Sequence, residues 1–113
     1  MKSLKIFVNT KLIDQNENFL NVNDRSFRYG DGCFETIRIQ NGKLVWLSDH
    51  LKRLELGCKY LNLDFSVSTS IENLESLITI NQVRNGMARI ILSRGVGSKG
   101  YLYKNNQSTC VIE

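Results

Sequence analysis

The sequence has no proline, only one histidine and no long run of apolar residues. Lys2 and Lys5 precede only the short stretch IFV before Asn9, which is too short for a signal peptide or a membrane span. We therefore expect a cytoplasmic protein without a membrane partner. The net charge is +4 and the pI about 9.1, but the basic residues are spread along the chain without forming a run. This distribution argues against nucleic-acid binding and favours a small anionic ligand.

The cysteines Cys33, Cys58 and Cys110 are odd in number and widely spaced. A disulfide framework needs pairs and a zinc site needs clustered ligands, so the pattern fits neither. We expect reduced, mostly buried thiols and no metal site. The sequence also lacks internal repeats, low-complexity tracts and an interdomain linker, so residues 1–113 are expected to form one domain.

Two hairpins and two further strands are predicted from apolar runs and turn residues. Runs on either side of Asn9-Thr10 predict a hairpin over residues 5–13. A second hairpin is predicted over residues 33–47, because Asn41-Gly42 supplies the positive φ angles that a type I′ turn requires. Residues 87–93 and 108–113 predict two more strands, joined by a long glycine-rich loop.

Two helices are predicted between these strands. Ser48 is the expected N-cap of the first helix, and Thr69 with Glu72 is the expected capping box of the second. Apolar residues recur at helical spacing in the first helix at Leu47, Leu51, Leu54, Cys58 and Leu61, and in the second at Ile71, Leu74, Leu77 and Ile78. Hairpins combined with two helices predict an α+β fold whose sheet is largely antiparallel.

The first predicted helix carries a candidate anion site. His50, Arg53 and Gly57 share a face distinct from the leucine stripe. A guanidinium can bind phosphate through two parallel hydrogen bonds, and a helical glycine permits close approach of a backbone or ligand. The alternative is a solvated Arg53 paired with Asp49 one turn earlier, beside a partly buried His50.

Residues 24–39, DRSFRYGDGCFETIRI, combine a Gly-Asp-Gly turn with an alternating strand. A tight turn in which Asp31 caps its own backbone would explain the glycines. That interpretation leaves a group of cationic and aromatic residues unexplained: Arg25, Arg28, Tyr29, Phe34 and Arg38. On the strand, Phe34, Thr36 and Arg38 point to one face, while Cys33, Glu35, Ile37 and Ile39 point to the other. The first of these faces is a candidate pocket wall.

Residues 93–101, SRGVGSKGY, form a third candidate. Arg94, Lys99 and Tyr101 are interleaved with glycines, so that cations and backbone amides can converge on an anionic ligand. The Walker phosphate-loop pattern is absent. The alternative is a hairpin tip without a ligand.

Three segments, taken together and in order, resemble the N-terminal domain of the class IV (fold type IV) pyridoxal-phosphate enzymes. They are DRSFRYGDGCFETIRI, NGKLVWLSDHLKRLELGCKYL and ILSRGVGSKGY. The family includes branched-chain and D-amino-acid aminotransferases and 4-amino-4-deoxychorismate lyase. The pattern DR-x-F-x-YGDG-x-FE-T-IR followed by H-L-x-RL carries the resemblance, which covers nearly the whole chain. Within the family, GDGCFET and RGVGSKGY are most similar to the lyase.

The resemblance implies pyridoxal 5′-phosphate (PLP) as the cofactor, with Arg53 at its phosphate. It implies a substrate-binding role for six residues: Tyr29, Phe34, Arg38, Arg94, Lys99 and Tyr101. Glu35 belongs to the motif but is expected to be mainly structural, because it faces away from Phe34 on the strand.

The resemblance also implies a second, C-terminal catalytic domain that this chain does not contain. The family's Schiff-base lysine and the carboxylate that pairs with the pyridinium nitrogen would lie beyond residue 113. We therefore expect no catalytic residue in the N-terminal α+β domain 1–113 and no activity from this chain alone. The full-length protein is expected to be a homodimeric lyase of folate synthesis, converting 4-amino-4-deoxychorismate to 4-aminobenzoate and pyruvate. The alternatives are a class IV aminotransferase and a stand-alone module that binds phosphorylated small molecules.

Overall fold

A computed structural model describes residues 4–18, 20–96 and 107–112. Within these ranges six strands form one sheet: β1 (Lys5–Val8), β2 (Lys11–Asp14), β3 (Gly32–Gln40), β4 (Lys43–Leu44), β5 (Gly86–Ser93) and β6 (Gln107–Ile112). The helices of the same ranges are α1 (Arg25–Tyr29), α2 (Leu47–Leu61) and α3 (Val67–Asn81). The strand order is β2-β1-β6-β5-β3-β4, and every neighbouring pair is antiparallel. The predicted α+β fold is confirmed.

Both predicted hairpins form. Val8 pairs with Lys11 across a turn in which Asn9 has a φ of 57°. Gln40 pairs with Lys43 across Asn41 and Gly42, whose φ angles of 52° and 74° match the predicted type I′ turn. The second hairpin is shorter than predicted, because β4 ends at Leu44 and Trp46 takes a left-handed conformation that leads directly into α2.

The two long helices begin earlier than predicted. Ser48 was the wrong cap for α2, which starts at Leu47 after the left-handed Trp46 and has no side-chain cap bond. The capping box at Thr69 was also wrong. Ser66 is extended, and its hydroxyl accepts a hydrogen bond from the Thr69 amide at 3.3 Å, so α3 starts at Val67.

The short helix α1 was not predicted from the sequence. The carboxylate of Asp24 caps it by accepting bonds from the amides of Ser26 and Phe27, at 2.9 and 3.4 Å. Gly30, with a φ of 65°, ends it. Asp24 is buried and also accepts a bond of 2.5 Å from the hydroxyl of Ser93 in β5. The cap therefore fastens α1 to the central strands and places the following Gly-Asp-Gly turn against the sheet.

The core lies between α2, α3 and one face of the sheet. Its buried side chains are Ile37, Ile39, Leu51, Leu54, Cys58, Leu63, Leu74, Leu77, Ala88, Ile90 and Leu92. The predicted stripe on α2 is confirmed, with its two end leucines half-buried. The alternation predicted for β3 is also confirmed: Glu35, Ile37 and Ile39 are buried, whereas Phe34 and Arg38 are exposed on the opposite face.

Candidate functional site

A groove of about 660 Å³ runs along the outer edge of β3, beside α2. Strand β4 pairs only with the last two residues of β3, so the rest of this edge carries no strand among the described residues. The groove is lined from β3 by Thr36, Arg38 and Gln40 and from α2 by Asp49, His50 and Arg53. Its volume lies within the roughly 300–1,000 Å³ of typical small-molecule sites. Of the predicted ligand-binding residues, the groove therefore brings together Arg38 and Arg53.

Arg53 is held in the groove by a two-pronged ion pair with Glu35. Its Nε donates to Glu35 Oε2 at 2.8 Å, and its Nη2 donates to Glu35 Oε1 at 2.7 Å. The pairing of Arg53 with Asp49, considered above as an alternative, is wrong, because the carboxylate that meets Arg53 comes from the neighbouring strand. Parallel hydrogen bonds of this kind fix the plane of the guanidinium as well as its distance.

His50 contacts the same carboxylate. Its Nδ1 lies 2.7 Å from Glu35 Oε1. The hydrogen bonds from Arg53 hold the pKa of Glu35 below its ordinary value although burial opposes this, and His50 adds to the lowering. The pKa of Arg53 is raised in turn by its hydrogen bond to Glu35. Since Glu35 is ionised, His50 Nδ1 is the donor in their contact.

Glu35 and Arg53 differ strongly in their exposure to solvent. The side chain of Glu35 is 8% exposed, whereas that of Arg53 is 72% exposed. The prediction that Glu35 is mainly structural missed this link, although the alternation of β3 already placed Glu35 on the side of α2. The spacing of four residues favoured Asp49 as the partner of Arg53, and no local pattern pointed to a residue 18 positions away.

A second ionic cluster surrounds Asp31. Its Oδ2 accepts from Arg25 Nε at 2.8 Å and from Arg94 Nε at 3.3 Å, so Asp31 binds two guanidiniums instead of capping its own backbone. Burial raises the pKa of Asp31, but the hydrogen bonds from Arg25 and Arg94 outweigh it and leave the pKa below its ordinary value. Arg94, predicted to bind substrate, is itself buried in this cluster and does not line the groove. Its role toward a substrate stays a prediction.

The remaining predicted substrate residues lie apart from the groove or outside the described part of the chain. Tyr29 is exposed at the end of α1, with the Cζ atoms of Arg25 and Arg28 at 4.8 and 5.6 Å from its ring centre. Phe34 is exposed on the open face of the sheet. Lys99 and Tyr101 lie outside the described residues. The roles of these four residues also stay predictions.

Gly57 serves packing and does not line the groove. A Cβ atom at this position would lie 3.6 Å from Cys33 Sγ, so the helix rests on β3 here at ordinary contact distance. Cys33 and Cys58 are free thiols whose sulfurs lie 3.6 Å apart. Burial, with the hydrogen bond to Cys33, raises the pKa of Cys58 to about 12. Cys58 is therefore an unreactive core thiol.

Among the described residues, no group of three or more His, Cys, Asp or Glu side chains is arranged to hold a metal ion. In the same part of the chain, no helix has both the length and the apolar character needed to cross a bilayer.

Comparison with known proteins gives concordant matches. The sequence model of the family described as "Amino-transferase class IV" matches residues 32–113. D-alanine aminotransferase from Staphylococcus haemolyticus is 32% identical over 96% of this chain and 39% of its own length. Aminodeoxychorismate lyase from Bacillus subtilis is 32% identical over 95% of this chain and 38% of its own length.

A solved structure matches at the level of the fold as well. That of 4-amino-4-deoxychorismate lyase from Pseudomonas aeruginosa has a TM-score of 0.78 and 28% identity, covering 96% of this chain and 39% of the other. The chain thus spans about two fifths of the length of the proteins that it matches. From its sequence and its fold, the chain belongs to the class IV aminotransferase family.

Proposed function

We propose that this chain is the N-terminal, phosphate-binding part of a PLP-dependent class IV enzyme. The observation that carries the proposal is the Arg53–Glu35 ion pair, which presents an exposed guanidinium in a groove of suitable size. We further propose that the full-length protein is a cytoplasmic homodimer acting on a small anionic substrate. Its Schiff-base lysine would lie in a second domain, so this chain alone would be inactive.

The residues of the groove fit a phosphate group. A guanidinium has five N–H donors, and the pair with Glu35 uses two of them, which leaves three for a ligand. Arg38 lines the same groove and supplies a second cation. The phosphate of PLP carries between one and two negative charges at neutral pH and offers three acceptor oxygens. Hydrogen bonds from Arg53 to those oxygens are charge-assisted and therefore among the stronger ones available to the site.

The bound cofactor would supply the electron sink for the reaction, and the protein would supply binding and orientation. Arg53 would hold the phosphate and so set the position of the cofactor in the groove. As the resemblance to the family implies, the substrate side of the pocket would be lined by Tyr29, Phe34 and Arg38. The anionic groups of the substrate would be approached by Arg94, Lys99 and Tyr101. His50 would keep the carboxylate of Glu35 in place beneath Arg53.

The first test of this proposal concerns Arg53. In the full-length protein, Arg53→Ala should weaken PLP binding by about 1.5–3 kcal/mol, the scale of a hydrogen bond to a charged group, which is roughly a 10- to 150-fold rise in Kd. Arg53→Lys should weaken it less, because lysine keeps the positive charge. Some loss is still expected, because lysine lacks the planar pair of donors of a guanidinium. Lys52→Ala, which removes a cation from the exposed neighbouring position, is the matched control. Unchanged PLP affinity in Arg53→Ala would exclude this groove as the phosphate site.

For the reaction, we propose 4-amino-4-deoxychorismate lyase, forming 4-aminobenzoate and pyruvate. The segments GDGCFET and RGVGSKGY support this choice through their similarity to the lyase. The aminotransferase is the second candidate, supported by the 32% identity to D-alanine aminotransferase. The deciding measurement is pyruvate release from aminodeoxychorismate by the full-length protein with PLP and without a keto acid. Amino transfer seen only after a keto acid is added would establish the aminotransferase instead.

A further inference from the structure

We infer that Glu35 is a positioning residue for anion binding, which it achieves by fixing the orientation of the Arg53 guanidinium. The inference rests on the proposed function, because it takes the phosphate of PLP as the anion. Glu35 itself would not touch the ligand. It lies beneath Arg53 with its side chain 8% exposed, while Arg53 meets the groove.

The rigidity of β3 makes Glu35 a firm anchor. Strand β3 pairs with β5 continuously from Gly32 to Ile39, and the next inward residue, Ile37, is fully buried. An arginine side chain as exposed as that of Arg53 normally samples many rotamers. Two hydrogen bonds to a carboxylate on a strand that is paired along its length with β5 remove much of that freedom before any ligand arrives, and preorganisation of this kind increases affinity.

His50 restrains the carboxylate from a second direction. It lies one turn before Arg53 on α2 and donates to Glu35 Oε1, the oxygen that also accepts from Arg53 Nη2. The carboxylate is thus bound by two side chains of the same helix. Rotation of Glu35 would break all three hydrogen bonds together, so the orientation of Arg53 is coupled to the packing of α2 on β3.

The negative charge of Glu35 also has an unfavourable effect, because it repels a phosphate bound to Arg53. The formal charges of Glu35 and Asp49 balance those of Arg53 and Arg38 in and beneath the groove. If only net charge mattered, removal of the negative charge at Glu35 would strengthen binding of a phosphate. If orientation matters more, the same removal would weaken it, because Arg53 would be free to turn toward Asp49 one helical turn earlier. The two accounts therefore predict opposite signs for one substitution.

The experiment measures the Kd of PLP and of pyridoxal, which lacks the phosphate, on the apo form of the full-length protein. Glu35→Gln should raise the Kd of PLP by roughly three- to tenfold, the scale of one ordinary hydrogen bond, and leave that of pyridoxal unchanged. In an Arg53→Ala background the same substitution should have no further effect on PLP, because there is no guanidinium left to orient. Glu55→Gln removes a carboxylate from the exposed side of the same helix and should leave both constants unchanged.

The outcomes separate the two proposals. Loss of PLP affinity in Arg53→Ala without any loss in Glu35→Gln would refute the positioning role and keep the phosphate site. Tighter PLP binding in Glu35→Gln would refute it in favour of net charge. Equal weakening of PLP and pyridoxal, or additive effects in the double variant, would show a merely structural role for Glu35. An Arg53→Ala variant with unchanged affinity would refute the phosphate site itself, and the positioning role with it.

Discussion

The close approach of β3 and β5 at Gly32 allows a sharp test of the packing. A Cβ atom on Gly32 would overlap the backbone oxygen of Leu92 and lie 3.2 Å from both Ser26 Oγ and Ser93 Cα. The backbone of the β3–β5 pair would have to move to admit it. Overpacking of this type destabilises by about 1–3 kcal/mol, occasionally more, and we expect Gly32→Ala to lie at the upper end because backbone atoms are involved.

A second glycine supplies the matched control. Gly57 lies within α2, and a Cβ there would meet Cys33 at 3.6–3.7 Å, an ordinary contact distance. Alanine is favoured over glycine inside a helix by roughly 1 kcal/mol. Gly57→Ala should therefore stabilise the protein, whereas the same substitution at Gly32 should destabilise it.

Urea unfolding of the full-length protein, followed by circular dichroism, would measure both effects. With a slope of roughly 1–3 kcal/mol per molar urea, a loss of about 3 kcal/mol for Gly32→Ala lowers the midpoint by roughly 1–3 M. Faster hydrogen exchange over residues 86–93 would locate the damage in β5. A neutral Gly32→Ala, or a shift of both variants in the same direction, would refute the packing described for β3 and α2.

Two further predictions concern the polar anchors of the fold. Asp24→Ala should destabilise the protein by about 2–4 kcal/mol, because it removes the cap of α1 and leaves the Ser93 hydroxyl without its buried acceptor; a change below about 0.5 kcal/mol in urea unfolding would contradict this. Glu35 and Asp31 have folded-state pKa values below their ordinary values of 4.5 and 3.8. Their contribution to stability is therefore complete above those ordinary values and is lost as the pH falls through the lowered ones. Glu35→Gln should make the acid limb of the stability–pH curve shallower, and an unchanged limb would contradict the assignment.

Several parts of this fold follow from patterns within a few neighbouring residues. Asn41-Gly42 predicts its hairpin because only a positive-φ pair suits a two-residue turn that matches strand twist. The leucine stripe of α2 and the alternation of β3 depend on the periods of the helix and the strand alone. The caps were less predictable. Near the start of α3 several hydroxyl residues follow one another, and the path of the chain makes Ser66 the extended one that caps the helix. At α2 the left-handed Trp46 precedes the helix without a side-chain cap bond, so Ser48 lies inside the helix.

The family membership and the inward direction of Glu35 could both be predicted from the sequence. The order of the motifs is visible along the chain, and the alternation of a strand depends only on neighbouring residues. The partners of the ionic groups are not. Arg53 meets Glu35 from 18 residues away, Arg94 meets Asp31 from 63, and Ser93 meets Asp24 from 69. These pairs form because the sheet order sets β3 beside β5 and the core packs α2 onto β3. Spacing along the chain can name the residues of a site, but the packing of helix on sheet determines which carboxylate orients which guanidinium.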